Sequence, residues 1–207
     1  KANGLSTFIT CIFEDREGMV WAGTQDQGLW SIDPATGKTY NFLSRPSSPK
    51  NNNSVSKQLS SRSVLSIEED SKGNLWIGTS NGLNLFNRKD STFRLFIDES
   101  KGFTRIRNIT EGKDGKLWLG TWEGGLFSFD PAKNKINQFT ESDGLLFNAV
   151  YNCLPDNIGI FWLTSPRGIT RFDPATGLSH PLTITNGLPD IHIDYGGFIT
   201  TEGNFLV

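Results

Sequence analysis

One phrase is repeated four times along this chain: an apolar run, an acidic turn, a tryptophan strand ending in Gly-Thr, then Gly-Leu and a second apolar run. Aligned on tryptophan, the copies read Glu14-Asp15-Arg16-Glu17-Gly18-Met19-Val20-Trp21-Ala22-Gly23-Thr24, Glu69-Asp70-Ser71-Lys72-Gly73-Asn74-Leu75-Trp76-Ile77-Gly78-Thr79, Lys113-Asp114-Gly115-Lys116-Leu117-Trp118-Leu119-Gly120-Thr121 and Pro155-Asp156-Asn157-Ile158-Gly159-Ile160-Phe161-Trp162-Leu163-Thr164-Ser165. Each has glycine three residues before tryptophan. Each continues into Gly28-Leu29, Gly82-Leu83, Gly125-Leu126 or Gly168-Ile169, and then Asp33-Pro34, Asn87, Asp130-Pro131 or Asp173-Pro174. The tryptophans stand 55, 42 and 44 residues apart, the period of a four-stranded propeller blade rather than of a helical hairpin or a leucine-rich turn. The tail Glu202-Gly203-Asn204-Phe205-Leu206-Val207 reads as the start of a fifth copy, with Phe205 in place of tryptophan.

Each repeat resolves into four short strands, A to D, separated by turn chemistry. A is the run before the acidic turn and B is the Trp-x-Gly-Thr strand. C follows Gly-Leu, and D follows turns such as Asp33-Pro34-Ala35-Thr36-Gly37, where proline presets one backbone angle and glycine supplies a positive one. No apolar run at 3.6 spacing persists over two turns, so the fold class is all-β: a β-propeller of four-stranded antiparallel blades. The expected blades lie near 8–43, 63–97, 105–140 and 149–183, with a partial blade at 191–207. About four and a half repeats are present and the last stops inside a strand, which would leave sheet edges unpaired, so the expected context is a larger ring. The first spacing is the longest, and its excess falls at 44–62, which is rich in Ser, Asn, Pro and Lys and predicts a loop insertion.

With A innermost, the B-to-C loops and D-to-A connections share one face, and the A-to-B and C-to-D turns share the other. The second face is monotonous. The first varies, with Gln25-Asp26-Gln27, Ser80-Asn81, Trp122-Glu123-Gly124 and Ser165-Pro166-Arg167 in the B-to-C loops, and a variable face on a repetitive scaffold is where binding is usually built.

Composition excludes several classes. A net charge of -2 carries no footprint for nucleic acid or an anionic membrane surface. No run approaches the roughly 18 apolar residues of a membrane span, and a start at Lys1 without a signal peptide predicts an excised piece. Cys153 occupies the register position of Ile12, Ile67 and Ile109, all expected in the core. Cys11 is one position off and should face the other way, so no disulfide is expected. The acidic turns offer one or two carboxylates each, far from a calcium loop, and read as solvated turns resembling the Asp-box of sialidases.

The composite phrase E-D-x-x-G-x-x-W-x-G-T-x-x-G-L resembles the two-component regulator propeller repeat, and the chain looks most like the periplasmic sensor region of hybrid two-component systems from glycan-degrading gut bacteria. The passage Asn186 to Gly197 is similar to one that such sensors carry in a closing blade. The resemblance implies a ring of about seven blades and a non-catalytic periplasmic ectodomain of an inner-membrane sensor, binding an oligosaccharide or other small ligand without a cofactor. Its partners would be neighbouring domains of the parent, which would dimerise.

Candidate contacts on the variable face follow from register. Trp122 with Glu123 lies outside the packed tryptophan register. Arg105 and Arg107 start an innermost strand where other copies have Phe8, Ser63 or Ala149 and Thr10, Leu65 or Tyr151. Arginine grips carboxylate or sulfate bidentately, which suits an acidic glycan, although pairing with Glu141 or Glu123 would make them structural. Arg62, Asn148, Tyr151 and Arg167 belong to the same face. The register tryptophans are expected to pack between blades. A protein-docking or purely structural propeller is the alternative. A further one is a lyase similar to the virginiamycin-inactivating kind, using His180 and His192.

Overall fold

The computed structural model describes residues 8–43, 55–97, 105–187, 198–199 and 205–206. The chain divides into two compact units, Lys1–Ile106 and Arg107–Val207. In the first, β1 (Ile9–Glu14), β2 (Val20–Thr24), β3 (Leu29–Ile32) and β4 (Thr39–Phe42) form an antiparallel meander. The second sheet contains β5 (Val55–Ser56), β6 (Val64–Glu69), β7 (Leu75–Thr79), β8 (Gly82–Asn87) and β9 (Thr92–Ile97) in the order β5-β9-β8-β7-β6. The second unit carries β10 (Ile106–Glu111, its first residue at the unit boundary) through β11 (Leu117–Thr121) and β12 (Leu126–Asp130) to β13 (Lys135–Phe139). The next meander is β14 (Asn152–Pro155), β15 (Phe161–Ser165), β16 (Gly168–Phe172) and β17 (Ser179–Leu182). A hairpin of β18 (Phe198–Ile199) and β19 (Phe205–Leu206) falls within the predicted partial blade. Among the described residues the only helical turns are two 3-10 segments, Glu141–Asp143 and Ile184–Asn186.

The Gly-Thr end of the motif has a local cause. The hydroxyls of Thr24, Thr79, Thr121 and Ser165 donate across the B-to-C turn to the carbonyls of Gly28, Gly82, Gly125 and Gly168 at 2.8–3.0 Å. Ser165 therefore performs the threonine's role in the divergent fourth copy. Gly125 has φ +80°, and a Cβ there would lie 2.1 Å from the carbonyl oxygen of Phe139, so only glycine closes this turn.

Trp21 and Trp118 pack between sheets as their register predicts, while Trp76 meets Phe96 of its own sheet at 5.3 Å. Trp21 meets Phe86 of the second sheet edge-on at 5.2 Å, and Trp118 meets Phe161 and Phe172 of the fourth at 5.2 and 5.4 Å. At about 25 cal/mol per Å2 over roughly 200 Å2, each buried indole contributes on the order of 5 kcal/mol before entropy is counted.

Three expectations are corrected. Ile12 shares a register position with Ile67, Ile109 and Cys153, which are buried, yet it is 68% exposed. Its side of β1 points away from the second sheet, and no described element covers it. Cys11, one position earlier, faces the other side of β1 as expected and packs partly against the first unit's core. Both thiols are free, and burial pushes the Cys11 thiol up to about 11. The stretch 55–62, predicted as loop, carries β5 on the outer edge of β9, and Leu59 is fully buried beside it. Ser60 joins Thr79 and Asn84 through hydrogen bonds of 2.9 and 2.8 Å; two strand residues are too few to show alternation. Residues 44–54 of that insertion lie outside the described residues.

The acidic turns are the third correction. Asp15 and Asp70 are buried rather than solvated. Each accepts the indole N–H of its own tryptophan, at 2.6 Å from Trp21 and 2.9 Å from Trp76, and two backbone N–H groups of its turn. Asp15 also receives Arg88 Nη1 at 2.6 Å, and Arg88 Nη2 reaches Glu69 at 3.0 Å. Burial opposes the charge of both aspartates, but the hydrogen bonds prevail and hold their carboxyls below the usual carboxylate range.

Candidate functional site

Three of the residues singled out by register come together in the second unit. Arg107 is the second residue of β10, and Tyr151, its register equivalent one repeat later, precedes β14. Trp122 follows β11 in the B-to-C turn, whose shape is set by Thr121 accepting from Gly124 N and donating to Gly125 O. The guanidinium of Arg107 lies 4.9 Å from the Trp122 ring centre and 5.2 Å from that of Tyr151. The two rings are 5.6 Å apart with planes tilted by 34°. All three side chains are half-buried.

An arginine held on two aromatic faces keeps a fixed plane, and its five donors project in that plane with little rotamer entropy left to lose. Such a cluster can present a delocalised cation and aromatic surface to one ligand. It offers no nucleophile or general base.

The other candidates are placed differently. Arg167 is exposed and stacks on Phe147 at 4.8 Å, an aromatic partner that register could not reveal because the D-to-A connection has no repeat. Asn148 is engaged structurally: its Oδ1 accepts from Glu141 N at 2.9 Å and its own N–H donates to Glu141 Oε1 at 3.0 Å. Glu141 is thereby spent on closing this loop. Glu123 is exposed beside Trp122. In the first unit Arg62 is exposed, with its carbonyl accepting from Gly28 N at 2.8 Å. Arg105 is exposed with φ +56°, and its N–H donates to Ser80 O at 3.3 Å. His180 is exposed on β17 opposite Arg171, and His192 lies outside the described residues.

Two clefts open at the other end of the strands. One, of about 480 Å3, lies in the first unit beside Met19, Trp21, Tyr40, Phe42 and Arg88. The other, of about 230 Å3, lies in the second unit between the A-to-B turn before Trp118 and the C-to-D turn at Pro174. Among the described residues no three His, Cys, Asp or Glu side chains gather as a metal set, and no helix is long and apolar enough to cross a membrane.

Comparison with known proteins gives the same architecture. The extracellular domain of a hybrid two-component system from B. thetaiotaomicron superposes on 98% of this chain with TM-score 0.80 and 22% identity, and a second on 87% with TM-score 0.71 and 20% identity. The chain spans 28% and 25% of those two proteins. Catalytically inactive virginiamycin B lyase from Staphylococcus aureus, solved with quinupristin, matches at TM-score 0.71 and 15% identity, covering 98% of this chain and 64% of the lyase. Likeness at these identities establishes the propeller fold. None of the curated proteins matches by sequence. The two-component regulator propeller model matches residues 3–26, 58–81 and 100–123, each match ending at or just past a B strand. Three of the four repeats thus match the two-component regulator propeller model, over 72 of the 207 residues.

Proposed function

We propose that this chain is a non-catalytic ligand-sensing segment of a periplasmic two-component sensor, and that the Arg107–Trp122–Tyr151 cluster is its ligand contact. The observation that carries the reading is the guanidinium stacked on Trp122 and Tyr151 at 4.9 and 5.2 Å, on the loop face that varies between repeats. The ligand class that suits it is an acidic oligosaccharide, whose ring C–H faces pack on aromatics and whose carboxylate or sulfate pairs with arginine. Affinity would then rest on these few anchors, and signalling on a difference in ligand affinity between two arrangements of the parent's domains. The repeat family and the extracellular sensors of like fold support the cellular setting.

The test is a panel of neutral and acidic oligosaccharides against the intact protein, by thermal shift and calorimetry, beside Arg107→Ala and Trp122→Ala. A rise in melting temperature with one acidic class, lost in both variants while their circular dichroism is unchanged, is the expected result. Equal affinity in wild type and both variants would sink this site.

A further inference from the structure

In each repeat a row of directly opposed residues runs from the tryptophan across strands C and D, on one side of the sheet. The four rows are Trp21–Ser31–Tyr40, Trp76–Leu85–Arg94, Trp118–Ser128–Asn137 and Trp162–Arg171–His180. Two of them hold a serine at the centre. In the third repeat Asn137 Nδ2 donates to Ser128 Oγ at 3.2 Å, so that hydroxyl is satisfied within its own sheet. In the first repeat the neighbour is Tyr40, which carries no amide to reach back and stands 60% exposed. Ser31 is only 3% exposed, yet its hydroxyl has no hydrogen-bond partner among the described residues, and it faces a cleft of about 480 Å3.

The cleft lies between the first two sheets, both within the first unit. Trp21, Tyr40 and Phe42 line it from one sheet and Phe86 from the other. Trp21 and Phe42 each meet Phe86 edge-on at 5.2 Å, so the aromatic wall is continuous across the two sheets. Its volume falls within the roughly 300–1,000 Å3 of small-ligand pockets. Two charged side chains line it, Arg88 and Glu17. The guanidinium is already answered by Asp15 at 2.6 Å and Glu69 at 3.0 Å, with Glu17 at 3.9 Å. An anion would therefore meet a neutralised arginine beside a carboxylate. A cation would find Arg88 already over the Trp21 ring at 6.0 Å. What the cleft offers is an exposed aromatic face next to a buried hydroxyl, which suits an uncharged molecule with one apolar face and a hydroxyl-bearing edge.

We infer that this cleft is a second binding site, which takes a neutral pyranose with its C–H face on Tyr40 and one of its hydroxyls on Ser31 Oγ. The ligand's hydroxyl supplies to Ser31 what Asn137 supplies to Ser128 in the third repeat. Its ring lies against the tyrosine that replaces that asparagine in the row. The source is a free monosaccharide or the terminal residue of an oligosaccharide. The site belongs to a different unit from Arg107, takes an uncharged ligand rather than an acidic one, and stands whether or not that cluster binds.

The chain has three tyrosines, Tyr40, Tyr151 and Tyr195, so one titration separates the two sites. The intact protein, labelled with 13C-tyrosine, is titrated with the methyl pyranosides of glucose, galactose, mannose and xylose, with cyclohexanol and sodium glucuronate as controls, and Tyr40→Phe assigns the Tyr40 ring signals. At least one pyranoside should move the Tyr40 signals to saturation and leave those of Tyr151 in place. Ser31→Ala should melt as wild type does, because the lost hydroxyl bonds no other described residue, and should weaken that binding about 3–10-fold. Tighter binding of a disaccharide ending in the same sugar would assign the end of an oligosaccharide, and equal or weaker binding a free monosaccharide. Tyr40 signals unmoved by every pyranoside, equal movement with cyclohexanol, tighter binding of glucuronate than of any neutral pyranoside, or wild-type affinity in Ser31→Ala would overturn the inference. Movement of Tyr151 alone would support the Arg107 cluster and overturn this site.

Discussion

Truncating Asp15 to alanine should cost the first unit about 4 kcal/mol, and the figure can be built from the atoms left behind. The carboxylate is fully buried and accepts from Glu17 N at 3.0 Å, Met19 N at 2.9 Å, Trp21 Nε1 at 2.6 Å and Arg88 Nη1 at 2.6 Å. In Asp15→Ala the two turn amides can turn to water, at roughly 0.5 kcal/mol each, while the buried indole N–H cannot and loses about 1–3 kcal/mol. Arg88 retains Glu69 at 3.0 Å, so losing its shorter bond adds about 1.5 kcal/mol rather than the full 3–5 kcal/mol typical of a broken buried pair. At about 2–4 °C per kcal/mol for a chain of this size, the melting temperature should fall by roughly 8–16 °C.

The sibling turns turn this into a ranked test. Among the described residues Asp70 has no arginine partner, but it also accepts from Asn74 Nδ2 at 2.8 Å, so Asp70→Ala should cost about 2–3 kcal/mol. Asp156 is 3.4 Å from a half-buried Trp162, and Asp156→Ala should cost under about 1.5 kcal/mol. Guanidinium unfolding followed by tryptophan fluorescence and far-UV circular dichroism measures all three. An Asp15→Ala loss below about 1 kcal/mol, or a larger loss in Asp156→Ala than in Asp15→Ala, would refute the view that these carboxylates anchor the sheets.

Other expectations follow from the same geometry. Because Asp15 and Asp70 titrate below the ordinary carboxylate range when folded, their contribution is complete above about pH 4, where an unfolded aspartate is ionised, and is lost as pH falls through the folded values. Acid melts of wild type should therefore fall steeply below about pH 4, and Asp15→Asn should flatten that fall while lowering stability at pH 7. Gly125→Ala forces a Cβ to 2.1 Å from Phe139 O at φ +80° and should lose several kcal/mol by strain, seen as a lower guanidinium midpoint. Thr121→Val removes the donor to Gly125 O at 2.8 Å and the acceptor for Gly124 N at 3.0 Å, and should cost about 1–3 kcal/mol. It should also broaden the Trp122 indole resonance by loosening the turn that carries it.

How much of this was legible in the sequence depends on whether a residue's role is repeated. Trp21 and Trp118 pack as their register predicts because their blades solve the same problem with the same side chain. Ile12 breaks the pattern because its environment comes from a neighbouring element rather than from its own repeat. The acidic turns were misread for a different reason. An aspartate in a charged, glycine-containing turn looks solvated, and only the six-residue offset to tryptophan, which brings a carboxylate under an indole N–H, reveals that it is buried.

The departures from the repeat carry the functional information, because a position fixed by packing in every blade has no freedom left for a ligand. Trp122 stands where the other copies have Gln25, Ser80 and Pro166, and Arg107 where they have Thr10, Leu65 and Tyr151. Register alone was enough to put Trp122, Arg107 and Tyr151 on one face, but it could not show that the arginine would stack on both rings, since that depends on the rotation between neighbouring sheets. It also could not show Phe147 under Arg167, which sits in a connection without siblings. Gly112 is the converse case: a missing side chain is conspicuous only once Asp15 and Asp70 show what the turn normally holds. In a repeat protein the alignment of a chain with itself thus separates two kinds of exception. Added groups such as Trp122 and Arg107 extend the surface, whereas the deleted carboxylate at Gly112 lets the turn close on the indole, with a Cβ there only 2.8 Å from Trp118 Nε1 and 2.9 Å from Asp114 Oδ1.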